Sequence, residues 1–268
     1  EFYVGNAKQA EFYYRKAFGF SRAAYSGLET GNRETTSYLM RQTNINFVLT
    51  TPMGPDHPAA EHIKQHGDGV KDIAFYVEDA DQAFAEAVKR GARAVIEPHD
   101  LTDENGTVRH AAIGTYGDTI HSLISYGGNP HGSKGVNGNG HAAYNYSGPF
   151  LPGFIEQSVE GDPTGIMLVD HIVGNVELGK MNEWCDFYRD VMGFHRYITF
   201  DDEDISTEYS ALMSIVMSDG GHNIKFPINE PAESKKGVSQ IQEYIDYYRS
   251  AGAQHIALLC RDVIHTVG

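Results

Sequence analysis

The sequence predicts an α+β protein built from repeated βαβββ units. Three observations predict it: segments of the first half recur in the second, the apolar spacing within them changes from period 2 to period 3.6 and back, and a Gly-, Asn- and Pro-rich stretch divides the halves. VGN at 4–6 recurs at 173–175, and EFYYRKAFGF at 11–20 recurs as CDFYRDVMGF at 185–194. GVKDIAFYVEDADQAF at 69–84 aligns without a gap to GAQHIALLCRDVIHTV at 252–267. At 268 residues, 41% apolar and 11% aromatic, the chain is large enough for two packed domains.

The two units of the first half are expected to fill residues 1–126, the stretch 127–154 to link the halves, and a second domain to fill 155–268. In the third unit Val169, His171 and Val173 alternate onto one strand face. Leu178, Met181, Cys185, Tyr188 and Met192 then follow at helical spacing, and Gly193 suits a left-handed residue past the helix end. In SALMSIVM, Ser210, Leu212, Ser214 and Val216 alternate with Ala211, Met213, Ile215 and Met217; the Met-rich face reads as core, the serine face as a cavity wall. The fourth unit aligns with the second only as far as Val267, opposite Phe84, so it is expected to be incomplete at Gly268.

Thirty-six acidic against 21 basic side chains give a net charge of −15, which repels phosphate backbones and anionic lipid and excludes nucleic acid and membrane as expected partners. Cys185 and Cys260 follow neither a disulfide nor a metal-ligand spacing, and no apolar run approaches the roughly 20 residues that span a bilayer. The expectation is a reduced, cytoplasmic protein that handles a small molecule. A homo-oligomer stands as a further expectation with no particular residue behind it.

Aligning the repeats sets His171 opposite Phe2 and His255 opposite Asp72, so both histidines belong to the second half, each on the first strand of its unit. Two imidazoles brought together from distant sequence can share one metal ion. A single strand histidine serves equally as a hydrogen-bonded core residue; the matched positions are what make the metal reading competitive. The first half, with Phe2 and Asp72 at these places, is expected to bind no iron.

LVDHIVGNVE, SALMSIVM, KFPINEPA, KKGVSQIQEYIDYY and GAQHIAL, with FLPGF before them, resemble the 4-hydroxyphenylpyruvate dioxygenases, non-haem iron enzymes of the vicinal-oxygen-chelate fold. The resemblance implies a non-catalytic first domain and a catalytic second domain holding Fe(II) through His171, His255 and a glutamate. That glutamate belongs to the last strand of the fourth unit and is expected beyond Gly268. Glu177 and Asp262 read instead as charges at helix starts. The implied partners are a 2-oxo acid and O2, and the implied reaction is conversion of 4-hydroxyphenylpyruvate to homogentisate and CO2, a step of tyrosine and phenylalanine catabolism.

Ser214, Asn229 and Gln254 match substrate-pocket positions of that family. Each also has an ordinary structural reading: a strand serine, an Asx-turn between Pro227 and Pro231, and a solvated residue near Gly252. Two alternatives accompany this reading. Hydroxymandelate synthase takes the same substrate with the same ligands and oxidises the side chain, and metal-free small-molecule binders share the fold.

Overall fold

The structure, a computed structural model, describes residues 1–126, 146–200, 212–232 and 238–268. The first unit comprises β1 (Phe2–Tyr3), α1 (Ala7–Ala17), β2 (Ser21–Ser26), β3 (Thr35–Gln42) and β4 (Ile45–Pro52). Helix α2 (Pro58–His66) leads to the second unit: β5 (Gly69–Val70), β6 (Phe75–Tyr76), α3 (Ala80–Lys89), β7 (Ala94–Asp103), β8 (Gly106–Gly114) and β9 (Ile120–Ser125). Strand β10 (Ile155–Val159) precedes the third unit, β11 (Ile166–Asn175), α4 (Met181–Asp190), β12 (His195–Phe200), β13 (Leu212–Ser218) and β14 (Lys225–Pro231). Helix α5 (Gln240–Tyr248), β15 (Gly252–Cys260) and α6 (Val263–Val267) complete the order.

All three complete units share one topology. Their sheets run β2-β3-β4-β1, β7-β8-β9-β6 and β12-β13-β14-β11. In each the first strand lies parallel to the fourth, while the other neighbours are antiparallel. A parallel partner requires a crossover, and the helix after the first strand begins it. The free edge of the first strand then pairs antiparallel with the next unit, β1 with β5 and β11 with β15. The predicted repeat is therefore real at the level of hydrogen bonding.

Local chemistry repeats with it. Asp79 caps α3 by accepting from Gln82 N, and its counterpart Asp262 caps α6 by accepting from Ile264 N and His265 N, which satisfies amides that a helix start otherwise leaves unpaired. Gly19 and Gly193 follow equivalent helices with φ of 72° and 73°, a conformation in which a Cβ is strained.

The third sheet buries one face against α4. Ile215, Met217, Phe226 and Ile228 meet Met181, Cys185 and Tyr188 there, and each fully buried side chain of this size contributes about 1.5–3 kcal/mol. The Met-rich face is core as predicted. Leu178 is not part of the helical stripe: α4 begins at Met181, and Leu178 precedes it with 68% exposure. Ser210 and Ala211 fall outside the described residues, as does 127–145 of the expected linker. Strand β10, from the start of the second half, adds to the edge of the first unit's sheet beside β2. Among the described residues no helix is long and apolar enough to cross a membrane.

Candidate metal and substrate site

The seam between β11 and β15 brings His171 and His255 together. Val173 pairs with His255 and His171 with Ala257, so both imidazoles stand on one sheet face with ring centroids 5.7 Å apart. The seam carries three register shifts, and two of them flank the histidines. Between Val169 and His171 the strand β11 has one extra residue, Asp170; between His255 and Ala253 the strand β15 has one extra, Gln254. A β-bulge re-aims the side chain it carries. It also moves Val169 off the histidine face: Val169 pairs with Leu258 and packs with Ile256 against the first unit's core, where simple alternation would have put it beside His171.

Each bulge residue hydrogen-bonds to the histidine that follows it. Asp170 Oδ2 lies 2.7 Å from His171 Nδ1, and Gln254 Oε1 lies 2.6 Å from His255 Nδ1. A carboxylate and an amide oxygen only accept, so both Nδ1 atoms carry a proton, and in the neutral ring Nε2 presents a lone pair. Metal-binding histidines are oriented in this way. Lys225 Nζ donates to the other oxygen of Asp170 at 2.7 Å. The hydrogen bond from Lys225, and next that from His171, hold the Asp170 carboxyl below its ordinary range. Desolvation and the neighbouring His171 lower the proton affinity of His255.

Register carries the same face across the sheet. Asn175 at the end of β11 pairs with Asn229 of β14, which pairs with Ser214 of β13. Asn175, Asn229 and Ser214 are all buried. Asn229 Nδ2 donates to Asn175 Oδ1 at 3.4 Å, while Asn229 Oδ1 and Asn175 Nδ2 have no hydrogen-bond partner. Asn229 is thus a strand residue, not a turn residue. Gln254 touches His255 through the hydrogen bond that its bulge permits. A cavity of about 580 Å³ between α1 and β15 has Gln254 and His255 on its wall, with Tyr13, Tyr14 and Gln9 opposite; His171, Ser214 and Asn229 do not line it.

Glu177 accepts from Ala251 N at 3.3 Å and Asp262 caps α6, so both serve the backbone. Sequence reading passed over two features. Asn175 sits inside the VGN motif that served as an alignment mark, and its amide contact with Asn229 depends on a parallel pairing that the motif alone does not specify. Separately, ligand atoms of His62, His66 and Asp118 lie within 4.8 Å of one another in the first half. The HIKQH spacing, which puts two histidines on one helix face, was the visible signal for the first two; Asp118 comes from a distant turn.

Residues 1–131 match the family description "Hydroxyphenylpyruvate dioxygenase, HPPD, N-terminal", and residues 168–267 match "Glyoxalase/Bleomycin resistance protein/Dioxygenase superfamily". Over 99% of its length the chain is 43% identical to a 4-hydroxyphenylpyruvate dioxygenase of Yarrowia lipolytica and 45% identical to one of Xenopus tropicalis, spanning 66% and 65% of those proteins. The chain thus spans about two thirds of the length of the curated relatives it matches. A mutant 4-hydroxymandelate synthase from Streptomyces coelicolor superposes over 99% of this chain and 71% of its own with a TM-score of 0.81 at 23% identity, a likeness of fold. The relative in Dictyostelium discoideum is 42% identical, and this chain spans 70% of it; the chain belongs to the 4-hydroxyphenylpyruvate dioxygenase family.

Proposed function

We propose that this chain provides two iron ligands and one wall of the substrate site of a cytoplasmic, Fe(II)-dependent dioxygenase that converts 4-hydroxyphenylpyruvate and O2 to homogentisate and CO2. The observation that carries the reading is the pair of imidazoles on one sheet face, ring centroids 5.7 Å apart, each hydrogen-bonded at Nδ1 to the bulge residue before it. That donor set suits ferrous iron: two neutral imidazoles, each oriented by a hydrogen bond at its far nitrogen, form the nitrogen part of a two-histidine, one-carboxylate site. The third ligand, a glutamate, is assigned to residues beyond Gly268, in keeping with the greater length of the relatives. The same reading makes 1–126 the non-catalytic domain, 127–154 the linker and 155–268 the catalytic part.

Bound ferrous iron would supply the redox chemistry that couples O2 reduction to loss of CO2 from the 2-oxo acid and hydroxylation of the ring. The chain's residues hold and orient. His171 and His255 fix the ion at the unit seam, and Asp170, anchored by Lys225, and Gln254 fix the two imidazoles. Ser214 and Asn229 present a hydroxyl and an unpaired amide oxygen on the same face, suited to a polar group of the substrate. Asn175, beside Asn229 on that face, accepts from its amide.

The test is oxygen uptake on 4-hydroxyphenylpyruvate with Fe(II) and ascorbate, with products identified by mass spectrometry, on residues 1–268 and on the chain extended to its relatives' full length. The extended chain is expected to release homogentisate and CO2, and His171→Ala or His255→Ala to abolish this. The 268-residue chain is expected to turn over little substrate. 4-Hydroxymandelate as product would assign side-chain oxidation instead, and tight substrate binding without metal-dependent turnover would make the chain a binding module.

A further inference from the structure

The trio His62, His66 and Asp118 lies where α2 meets the end of α5, apart from the seam that carries His171 and His255. His62 and His66, four residues apart on α2, are buried to 2% and 1% side-chain exposure. Their rings stand 4.7 Å apart, and Tyr248 of α5 stacks on His66 at 4.2 Å. His62 Nδ1 is 2.8 Å and His66 Nε2 is 3.7 Å from the same atom, Asp118 Oδ2.

The proton inventory of this cluster is incomplete. His66 Nδ1 bonds to the backbone carbonyl of Tyr248, which only accepts, so Nδ1 carries the proton and Nε2 of the neutral ring has a lone pair. That lone pair faces a carboxylate oxygen, and two acceptors aimed at each other in a buried space repel unless a cation stands between them. His62 Nε2, His66 Nε2 and Asp118 Oδ1 all lack hydrogen-bond partners. The bond from His66 Nδ1 to a backbone carbonyl is also the support by which metal-binding histidines hold their orientation. One cation is already present: Lys71 Nζ bonds to the backbone oxygen of Asp118 and lies 3.1 Å from its Oδ2. It reaches neither histidine nitrogen within hydrogen-bond range, and Asp118 keeps a free oxygen.

We propose that His62, His66 and Asp118 form a site for a divalent transition metal ion of the Zn²⁺ class at the contact between the first and second halves of the chain. Two imidazole nitrogens and one carboxylate oxygen suit such an ion. Ligand bonds of about 2.0–2.2 Å put the ligand atoms about 3–3.5 Å apart, between the observed separations of 2.8 and 3.7 Å, and the ion would take the place of the proton that now bonds His62 Nδ1 to Asp118 Oδ2. A fourth position is left for water. Through the bond from His66 to Tyr248 the ion pins α2 to α5, so binding it stabilises the docked arrangement of the halves.

The experiment uses the full chain carrying His171→Ala and His255→Ala, stripped with chelator and titrated with Co²⁺, whose visible absorption reports a nitrogen and oxygen ligand set. Binding of one equivalent is expected, together with a higher melting temperature. Adding His62→Asn and His66→Asn is expected to weaken Co²⁺ binding by more than about 100-fold. Lys71→Met in the same background removes the competing cation and is expected to tighten binding, a gain that a misfolded variant would not give. A folded His171→Ala/His255→Ala chain that binds no Co²⁺ would overturn the proposal, as would binding that survives loss of His62 and His66 or that Lys71→Met weakens.

Discussion

Asp170 and His171 are joined by a 2.7 Å hydrogen bond that exists only because Asp170 is the extra residue of a bulge. In a regular strand the two side chains would point to opposite faces. Removing the acceptor frees the ring and its tautomer. Asp170→Ala is therefore expected to weaken metal binding at the seam by about 10- to 100-fold, and Asp170→Asn, which keeps an oxygen, by less. Gln254→Ala should behave like Asp170→Ala at His255. Fe(II) or Co²⁺ titration of chains with His62 and His66 replaced reads this directly; equal affinity in all four proteins would remove the orienting role.

A buried histidine makes stability depend on pH. His121 is fully buried, donates from Nδ1 to Ile73 O at 2.8 Å and accepts at Nε2 from Tyr188 Oη at 2.9 Å. Burial pushes its pKa down to about 4 from an ordinary 6.5. Between these values the unfolded chain binds a proton at this residue that the folded chain does not. Stability contributed here is thus complete above pH 6.5 and falls as pH is lowered toward 4, by up to about 3 kcal/mol. Urea unfolding at a series of pH values is expected to give a shallower slope for His121→Gln than for the parent chain; parallel slopes would contradict the assignment.

The two VGN motifs hold their glycines for different reasons. A Cβ on Gly174 would fall 2.7 Å from ring atoms of Tyr116, a fully buried side chain, whereas one on Gly5 would meet nothing closer than Asp68 Oδ1 at 3.6 Å. Gly174→Ala is expected to cost about 1–3 kcal/mol by overpacking, and Gly5→Ala to be nearly neutral. Chemical denaturation with unchanged m-values tests the pair, and a reversed order would refute it.

Asp79 supplies an acceptor to an otherwise unpaired amide at the start of α3. Asp79→Ala is expected to lower stability by about 1 kcal/mol and Asp79→Asn by much less, since an asparagine oxygen caps as well. A loss of equal size in both variants would mean that the carboxylate charge, not the cap, is what matters.

The repeat was legible because duplicated units preserve the residues that start and stop helices: Asp79 with Asp262 and Gly19 with Gly193 occupy matching places in both sequence and structure. The histidine pair stood out for the opposite reason, as the places where the aligned repeats differ, His171 against Phe2 and His255 against Asp72. The bulges were not, since Val169, His171 and Val173 alternate perfectly in sequence and only the partner strand reveals that Asp170 is unpaired. Leu178 misled because apolar spacing continues one turn upstream of the actual helix start. Asp118, unlike the HIKQH pair it joins, was invisible for a related reason: a turn residue acquires its neighbours from the packing of other elements, which no local period records.

The seam that unites His171 with His255 joins strands far apart in the chain, whereas the pairings of β12 with β13 and β13 with β14 join near neighbours. Closing the longer loop costs more chain entropy before any contact rewards it, so nearby hairpins zip early and the seam belongs to the late steps of folding. An ion bridging the two rings would therefore act on escape from the native state more than on its formation. Its signature is kinetic: the unfolding limb of the chevron slows with metal concentration while the refolding limb stays where it was.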